Sequence, residues 1–174
     1  MVKFGRYFVI LRRNILNGMI IFNGEYNCKV EAKGRIMLPA VFRKQMGEVE
    51  VYRFVIKNDL YEQCLELYTV DEWERQHSLI LKTIKPFDPE DRQFLRDFRM
   101  GASEVECDPT GRILIPGRLL KQAEIKNEAL LSGSVGKIEI WSPDLYGNSG
   151  GDVAAKRNRA LRIMGNATYN PEQL

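Results

Sequence analysis

The chain has 174 residues, of which 44% are hydrophobic and 28% are charged, and its formal net charge is +3. These proportions are typical of a soluble globular protein. The three cysteines show no Cys-x-x-Cys spacing, so we expect a reduced, cytoplasmic compartment and neither a disulfide framework nor a zinc site.

Residues 1–21 match nothing later in the chain. The apolar run in residues 7–11 is interrupted by Arg12 and Arg13, and it is too short for a membrane span, which needs about 20 apolar residues. No small-residue cleavage site follows, which argues against a signal peptide. We interpret residues 1–21 as an extension that is either disordered or, upstream of Met19, not translated, and we favour this over a functional arm.

A strand, turn, strand and helix unit comes next and occurs twice. Residues 31–39 (EAKGRIMLP) match residues 108–116 (DPTGRILIP) at a constant offset of 77. In each copy an acid, Glu31 or Asp108, opens a tight turn, and a glycine, Gly34 or Gly111, can adopt positive φ. An arginine follows at the hairpin tip, and a proline then stands where a helix can start.

A second pair of segments supports a duplication. Residues 65–69 and 138–142 match at an offset of 73, and each predicts a half-buried strand followed by a helix cap. We expect a first half at 22–85, a connecting helix at 86–101 and a second half at 102–146, packed as one body because halves this small bury their apolar surface against each other.

Local signals place the other elements. Strands are predicted at 26–30, 49–56 and 64–68, and a helix at 39–46 closed by a glycine. Thr69 should cap a helix that runs toward residue 84, and Asp88 with Pro89 should start the connecting helix. That helix carries basic residues on one face, which we expect to be solvated or salt-bridged in preference to phosphate contact.

Residues 147–174 form a glycine-rich linker and a basic tail. They hold too few apolar residues for a core, so we expect a mostly disordered segment. Its basic run at 156–162 would add weak DNA attraction or simply be solvated.

The chain lacks the usual signs of catalysis. His77, which is the single histidine, has no partner at metal-ligand spacing, and there is no Walker, Gly-x-Gly-x-x-Gly or Gly-x-Ser-x-Gly motif. We therefore expect no enzyme activity, no metal, no cofactor and no small-molecule substrate.

The two Gly-Arg tips are the positive signal. An arginine on a two-stranded ribbon can reach the major groove and bind guanine O6 and N7, which makes Arg35 and Arg112 candidate DNA contacts. Lys33 would bind phosphate, with Thr110 as its neutral equivalent, and Lys29 adds to a local basic patch that also includes Arg43 and Lys44. Equally, both arginines could only brace their turns by bonding Glu31 and Asp108.

Taken in order, these motifs resemble the MraZ family of bacterial transcriptional regulators over residues 22–146. The matching segments are residues 25–27 (EYN), Lys33-Gly34-Arg35, residues 67–73 (LYTVDEW), the run at 101–104 (GASE), residues 111–116 (GRILIP) and residues 138–141 (IEIW). The family's turn motif is Asp-x-x-Gly-Arg, so Glu31 is a departure from it.

The resemblance implies an α+β fold: a tandem-repeat, swapped-hairpin AbrB-like β-barrel with short flanking helices, assembled into a closed ring of protomers. It implies binding to double-stranded DNA at repeated guanine-containing boxes in the promoter of the division and cell wall gene cluster. The expected role is mainly repression, including that of its own gene, in the cytoplasm at the nucleoid, without membrane association. Its arginine contacts carry over to Arg35 and Arg112.

Two alternatives remain open. One is an antitoxin-like AbrB-type protein that binds DNA and a partner protein, which the low apolar content of residues 147–174 disfavours. The other is a structural ring without DNA affinity, which salt-dependent binding would separate from a regulator.

Overall fold

The computed structural model describes residues 15–16, 19–149 and 151–165. The chain divides into two compact units, Met1–Pro143 and Asp144–Leu174. Within the first unit the strands are β1 (Ile15–Leu16), β2 (Met19–Ile20), β3 (Glu25–Lys29), β4 (Arg35–Met37), β5 (Arg53–Asn58), β6 (Leu65–Thr69), β7 (Ser103–Glu106), β8 (Arg112–Leu114), β9 (Glu128–Gly133) and β10 (Lys137–Trp141). The helices along the chain are α1 (Ala40–Met46), α2 (Val70–Thr83), α3 (Pro89–Arg99), α4 (Gly117–Gln122), α5 (Pro143–Asn148) and α6 (Val153–Met164).

Most strands form one six-stranded antiparallel sheet in the order β3-β9-β10-β6-β5-β7. Strand β3 of the first half pairs with β9 of the second half, and β7 of the second half pairs with β5 of the first. Two short ribbons lie outside this sheet: β1 pairs with β2, and β4 pairs with β8. Strands from the two predicted halves therefore pair with each other, and the mixed helix and antiparallel-strand content of the expected α+β fold is confirmed.

The core lies between the β4–β8 ribbon, the short helices α1 and α4 and one face of the sheet. Ile36 and Ile113, which stand opposite each other in the ribbon, are both fully buried at 0% exposure. Leu38 and Ile115, the residues that follow the two strands, are buried to the same degree. Burying a side chain of this size contributes about 1.5–3 kcal/mol, so the ribbon is fixed by its inner face and its outer face is free for other contacts.

The opposite face of the central strands carries a buried ion pair beneath α2 and α3. The Lys57 ammonium donates to Glu66 Oε2 at 2.6 Å and to the carbonyl of Asn58 at 2.7 Å, and the two charged side chains are 1% and 6% exposed. The same ammonium lies 5.0 Å from the centre of the Phe98 ring of α3. The helix layer thus covers charged residues that sequence alternation alone would place in solvent.

Two helix starts agree with the sequence predictions. Thr69 Oγ1 accepts from the backbone N–H of Glu72 at 3.3 Å, and Asp88 Oδ1 accepts from Glu90 N at 2.8 Å. The predicted strand at 49–56 is wrong at its start, because β5 begins at Arg53.

Two expectations about the chain ends need correction. Residues 19–21 join the sheet region, since Ile20 accepts from Gly136 N at 2.8 Å and Ile21 bridges Val135; residues 1–14, 17 and 18 of the predicted extension lie outside the described residues. The second unit contains the helix α6 where we expected a disordered tail, and its side chains are exposed. The division into halves, connector and tail stays a prediction.

Candidate nucleic-acid interface

The outward side of the β4–β8 ribbon carries four side chains, Arg35, Met37, Arg112 and Leu114, which we call the ribbon face. Strand pairing places Arg35 opposite Leu114 and Met37 opposite Arg112. Because successive residues point to opposite sides of a strand, the burial of Ile36 and Ile113 sends these four side chains outward. Both predicted arginines therefore lie on one surface.

The first turn connects β3 to β4 through a short 3₁₀ segment, Ala32–Gly34. It closes through a bond of 2.7 Å from Glu31 N to Arg35 O and one of 3.1 Å from Gly34 N to Glu31 O. Gly34 has φ +85°, and a Cβ there would stand 2.7 Å from the backbone oxygen of Ile115. Glycine is therefore required at this position for two reasons: the backbone has positive φ, and there is no room for a Cβ atom.

The second turn closes in the same way but adds side-chain bonds. Asp108 Oδ1 accepts from the backbone N–H groups of Thr110 at 2.8 Å and Arg112 at 2.9 Å, and from the Thr110 hydroxyl. These bonds stabilise the carboxylate and lower the pKa of Asp108 below its usual value, with the bond from the Thr110 hydroxyl the largest cause. The acid therefore caps its own turn, as the motif predicts.

A helix side chain packs on each turn glycine, and the two differ in kind. Leu120 of α4 lies against Gly34, whereas Arg43 of α1 lies against Gly111. A Cβ on Gly111 would be 3.0, 3.1 and 3.2 Å from Arg43 Cζ, Nη2 and Nη1, so the guanidinium lies face-on against the glycine. Arg43 Nε is buried and has no hydrogen-bond partner within the described residues.

Arg112 is held by the opposite half of the protein. Its Nε donates to Glu31 Oε1 at 3.0 Å and Oε2 at 3.1 Å, and its Nη1 donates to Thr110 Oγ1 at 2.8 Å. The two charged side chains are 30% and 33% exposed. Glu31 uses its carboxylate for this bridge between the two turns, since it makes no capping bond in its own turn.

Arg35 is free by comparison. Its side chain is exposed, and no hydrogen bond or ion pair of its guanidinium occurs within the described residues. The two arginines are equivalent in the repeat but not in their surroundings, because one is braced and the other projects into solvent.

The other predicted site residues lie on the hairpins that form this surface. Lys33 is exposed at the first tip, with φ +66°, and Thr110 is exposed at the second. Lys29 is exposed at the end of β3, paired with Glu128 of β9. Sequence reasoning missed Met37 and Leu114, although the period of two in residues 35–37 and 112–114 was a sufficient signal for both.

The described residues contain neither a metal-binding cluster nor a membrane-crossing helix. Residues 15–16, 19–149 and 151–165 contain no group of three or more His, Cys, Asp or Glu side chains placed to hold a metal ion. In the same part of the chain, no helix combines the length and apolar character that crossing a membrane requires.

These features define a class: a mixed α/β protein in which a repeated Gly-Arg turn motif occurs on both strands of one antiparallel ribbon. Comparison with known proteins places the chain within that class. A family model described as "MraZ protein, putative antitoxin-like" matches residues 21–97 and 98–149. The chain belongs to the MraZ family, which confirms the resemblance found in its sequence.

Several curated relatives carry the name "Transcriptional regulator MraZ". The protein of Flavobacterium psychrophilum is 40% identical over 147 residues, covering 82% of this chain and 91% of the relative. That of Christiangramia forsetii is 36% identical over 87% of this chain and 98% of the relative. That of Cytophaga hutchinsonii is 38% identical over 74% of this chain and 83% of the relative.

Proposed function

We propose that the protein is a sequence-specific DNA-binding transcriptional regulator that acts mainly as a repressor of the division and cell wall gene cluster, including its own promoter. The observation that carries the proposal is an exposed, unpaired Arg35 on the same outward ribbon face as Arg112. The names of the relatives support the regulatory role. In this proposal the ribbon enters the major groove at guanine-containing boxes, and Lys33 and Lys29 bind phosphates.

The salt bridge of Arg112 does not prevent base contact. Its two side chains are about one-third exposed, and ion pairs of this kind contribute roughly 0.2–1 kcal/mol. A bidentate contact from arginine to guanine discriminates by about 1–3 kcal/mol. The salt bridge is therefore weak enough for Arg112 to exchange Glu31 for guanine, while Arg35 needs no exchange.

The fold proposal is a swapped-hairpin, AbrB-like barrel whose protomers assemble into a closed ring. The exchange of β3 and β7 between the halves supports the swapped hairpins. A ring would place several ribbons on successive boxes, so that high effective concentration multiplies weak single contacts. A DNA-bound ring would act in the cytoplasm at the nucleoid.

Selection of bound duplexes from random DNA tests the proposal, with wild type, Arg35→Ala and Arg92→Ala in parallel. Arg92 is an exposed arginine of α3, so its variant controls for the loss of one positive charge. Wild type and Arg92→Ala should enrich the same guanine-containing box, and Arg35→Ala should enrich none while keeping its oligomeric size in light scattering. Enrichment of the unchanged box by Arg35→Ala would refute the proposed contact.

A second candidate is the antitoxin-like function, in which the protein binds DNA and a partner protein. The description of the matching family contains the word "antitoxin-like". In addition, helix α6 exposes apolar side chains, among them Leu161 at 60% and Ile163 at 62%. Purification of the native protein together with one stoichiometric small partner protein would favour the antitoxin-like function. Recovery of the native protein without a partner would count against that function.

A further inference from the structure

The ribbon face contains two aliphatic side chains that the contacts described so far do not use. Met37 is 37% exposed and Leu114 is 53% exposed. The outward side of an antiparallel pair normally carries polar residues, and leaving large apolar groups in water is unfavourable. The repeat places them at equivalent positions, since 114 − 37 gives the same offset of 77 as the two arginines.

Register makes each aliphatic residue the cross-strand neighbour of an arginine. Arg35 stands opposite Leu114, and Met37 stands opposite Arg112. Directly opposed residues have Cβ atoms about 4.5–5.5 Å apart. Both ends of the ribbon face therefore present one guanidinium and one apolar group side by side.

The length of this face matches a short stretch of duplex. The two arginine–aliphatic pairs are separated by two residues along each strand, which corresponds to about 6.7 Å. The base-pair rise of DNA is about 3.4 Å, so the two pairs are about two base-pair steps apart. A ribbon lying along the major groove would place one arginine–aliphatic pair at each end of a three-base-pair window.

Major-groove chemistry supplies a partner for the aliphatic groups. The C5-methyl of thymine is an apolar group on the major-groove edge, and apolar side chains read it there, while arginine reads guanine. Positive charge on and beside the face, from Lys33, Arg35 and Arg112, complements the phosphates. RNA fits less well, because its deep and narrow major groove excludes side chains.

We propose that Leu114 and Met37 are specificity-determining residues that contact thymine methyl groups next to the guanines bound by Arg35 and Arg112. This inference rests on the proposed DNA-binding function and deepens it. The target boxes should then contain guanine–thymine neighbours in which the methyl group, and not only the base pair, contributes to affinity.

Replacement of thymine by deoxyuridine tests the proposal, because it removes only the methyl group. The duplex selected by the wild-type protein is synthesised with thymine or deoxyuridine at each position, and binding is measured by fluorescence anisotropy. Wild type should lose roughly threefold to fivefold in affinity for each contacted methyl that is removed. Leu114→Ala should bind the thymine duplex more weakly by a similar factor and lose its response to one particular thymine, and Met37→Ala should do so for another.

Leu81→Ala is the matched control, since Leu81 is a leucine of α2 with 57% exposure. It should keep the full response to deoxyuridine. Circular dichroism and light scattering check that each variant keeps its fold and its assembly.

The outcomes distinguish failure of the methyl-contact inference from failure of the proposed DNA-binding function. If wild type selects no box, the proposed function fails. If a box is selected through Arg35 but thymine and deoxyuridine bind equally, only the methyl contacts are refuted. If Leu114→Ala changes the oligomeric size, the ribbon face is a contact between copies of the chain, and the inference is overturned.

Discussion

Shortening Glu31 by one methylene should release Arg112 without changing the net charge. The equivalent acid, Asp108, accepts from the backbone N–H groups of Thr110 and Arg112. Glu31 caps nothing in its own turn and holds Arg112 Nε at 3.0 and 3.1 Å instead. We expect the carboxylate in Glu31→Asp to bond its own turn, at residues 33 and 35, and to leave Arg112 free.

The size of the effect follows from exposure of the pair. With side chains 30% and 33% exposed, the bridge contributes about 0.2–1 kcal/mol, so its release should tighten binding to the target box by roughly 1.4-fold to fivefold. Stability in urea should change little, because a turn cap replaces the bridge. Anisotropy titrations with the box and a scrambled duplex at two salt concentrations measure both affinity and specificity.

The Glu31→Gln variant distinguishes the effect of releasing Arg112 from the effect of removing a negative charge. It removes the carboxylate charge as well, so it should tighten binding to the box and to the scrambled duplex alike, whereas Glu31→Asp should favour the box. Weaker binding of the box by Glu31→Asp would refute the reasoning, because it would show that Glu31 orients Arg112 for DNA and does not compete with it.

Two further predictions concern stability, each measured by urea unfolding. Gly34→Ala should lower the free energy of unfolding by about 1–3 kcal/mol or more, because of the positive φ and a collision with the Ile115 carbonyl. Gly117→Ala, where a Cβ meets nothing within 4 Å, should not lower it. Equal effects of the two substitutions would contradict the turn geometry. Glu66→Gln should cost about 3–5 kcal/mol because Lys57, 1% exposed, and Lys137 lose the carboxylate that they share. Glu106→Gln, which removes a pair that is 69% and 60% exposed, should cost under about 1 kcal/mol. A small loss for Glu66→Gln would show that Lys57 and Lys137 can be solvated or neutralised without the carboxylate.

Local chemistry explains what the sequence predicted well. The turn glycines and the caps at Thr69 and Asp88 depend on residues within a few positions of each other. The residue types at these positions therefore suffice to predict the turns and the caps. The internal repeat in the sequence additionally predicts that the chain contains two equivalent hairpins.

The remaining features depend on tertiary arrangement. Lys57 and Glu66 look like solvent-facing strand residues, and only the placement of α2 and α3 over the sheet makes them a buried pair. The bridge from Arg112 to Glu31 crosses 81 residues of chain, so neither turn sequence contains it. The tail has too few apolar residues to form a core, and this property does not predict helix α6. Helix formation in Val153–Met164 follows instead from its Ala, Lys, Arg and Leu residues.

The duplicated halves have diverged where they meet the proposed DNA. Lys33 corresponds to Thr110, Arg43 to Leu120, and Glu31 to Asp108, so the two ends of the ribbon face differ in charge and in the freedom of their arginines. A surface with unequal ends binds a non-palindromic sequence in one orientation better than in the other. In the proposed ring, head-to-tail interfaces would present every protomer in the same sense. Unequal ends of the ribbon face and head-to-tail assembly together require boxes arranged as direct repeats. Strong binding to an inverted pair of boxes at the same spacing would contradict this arrangement.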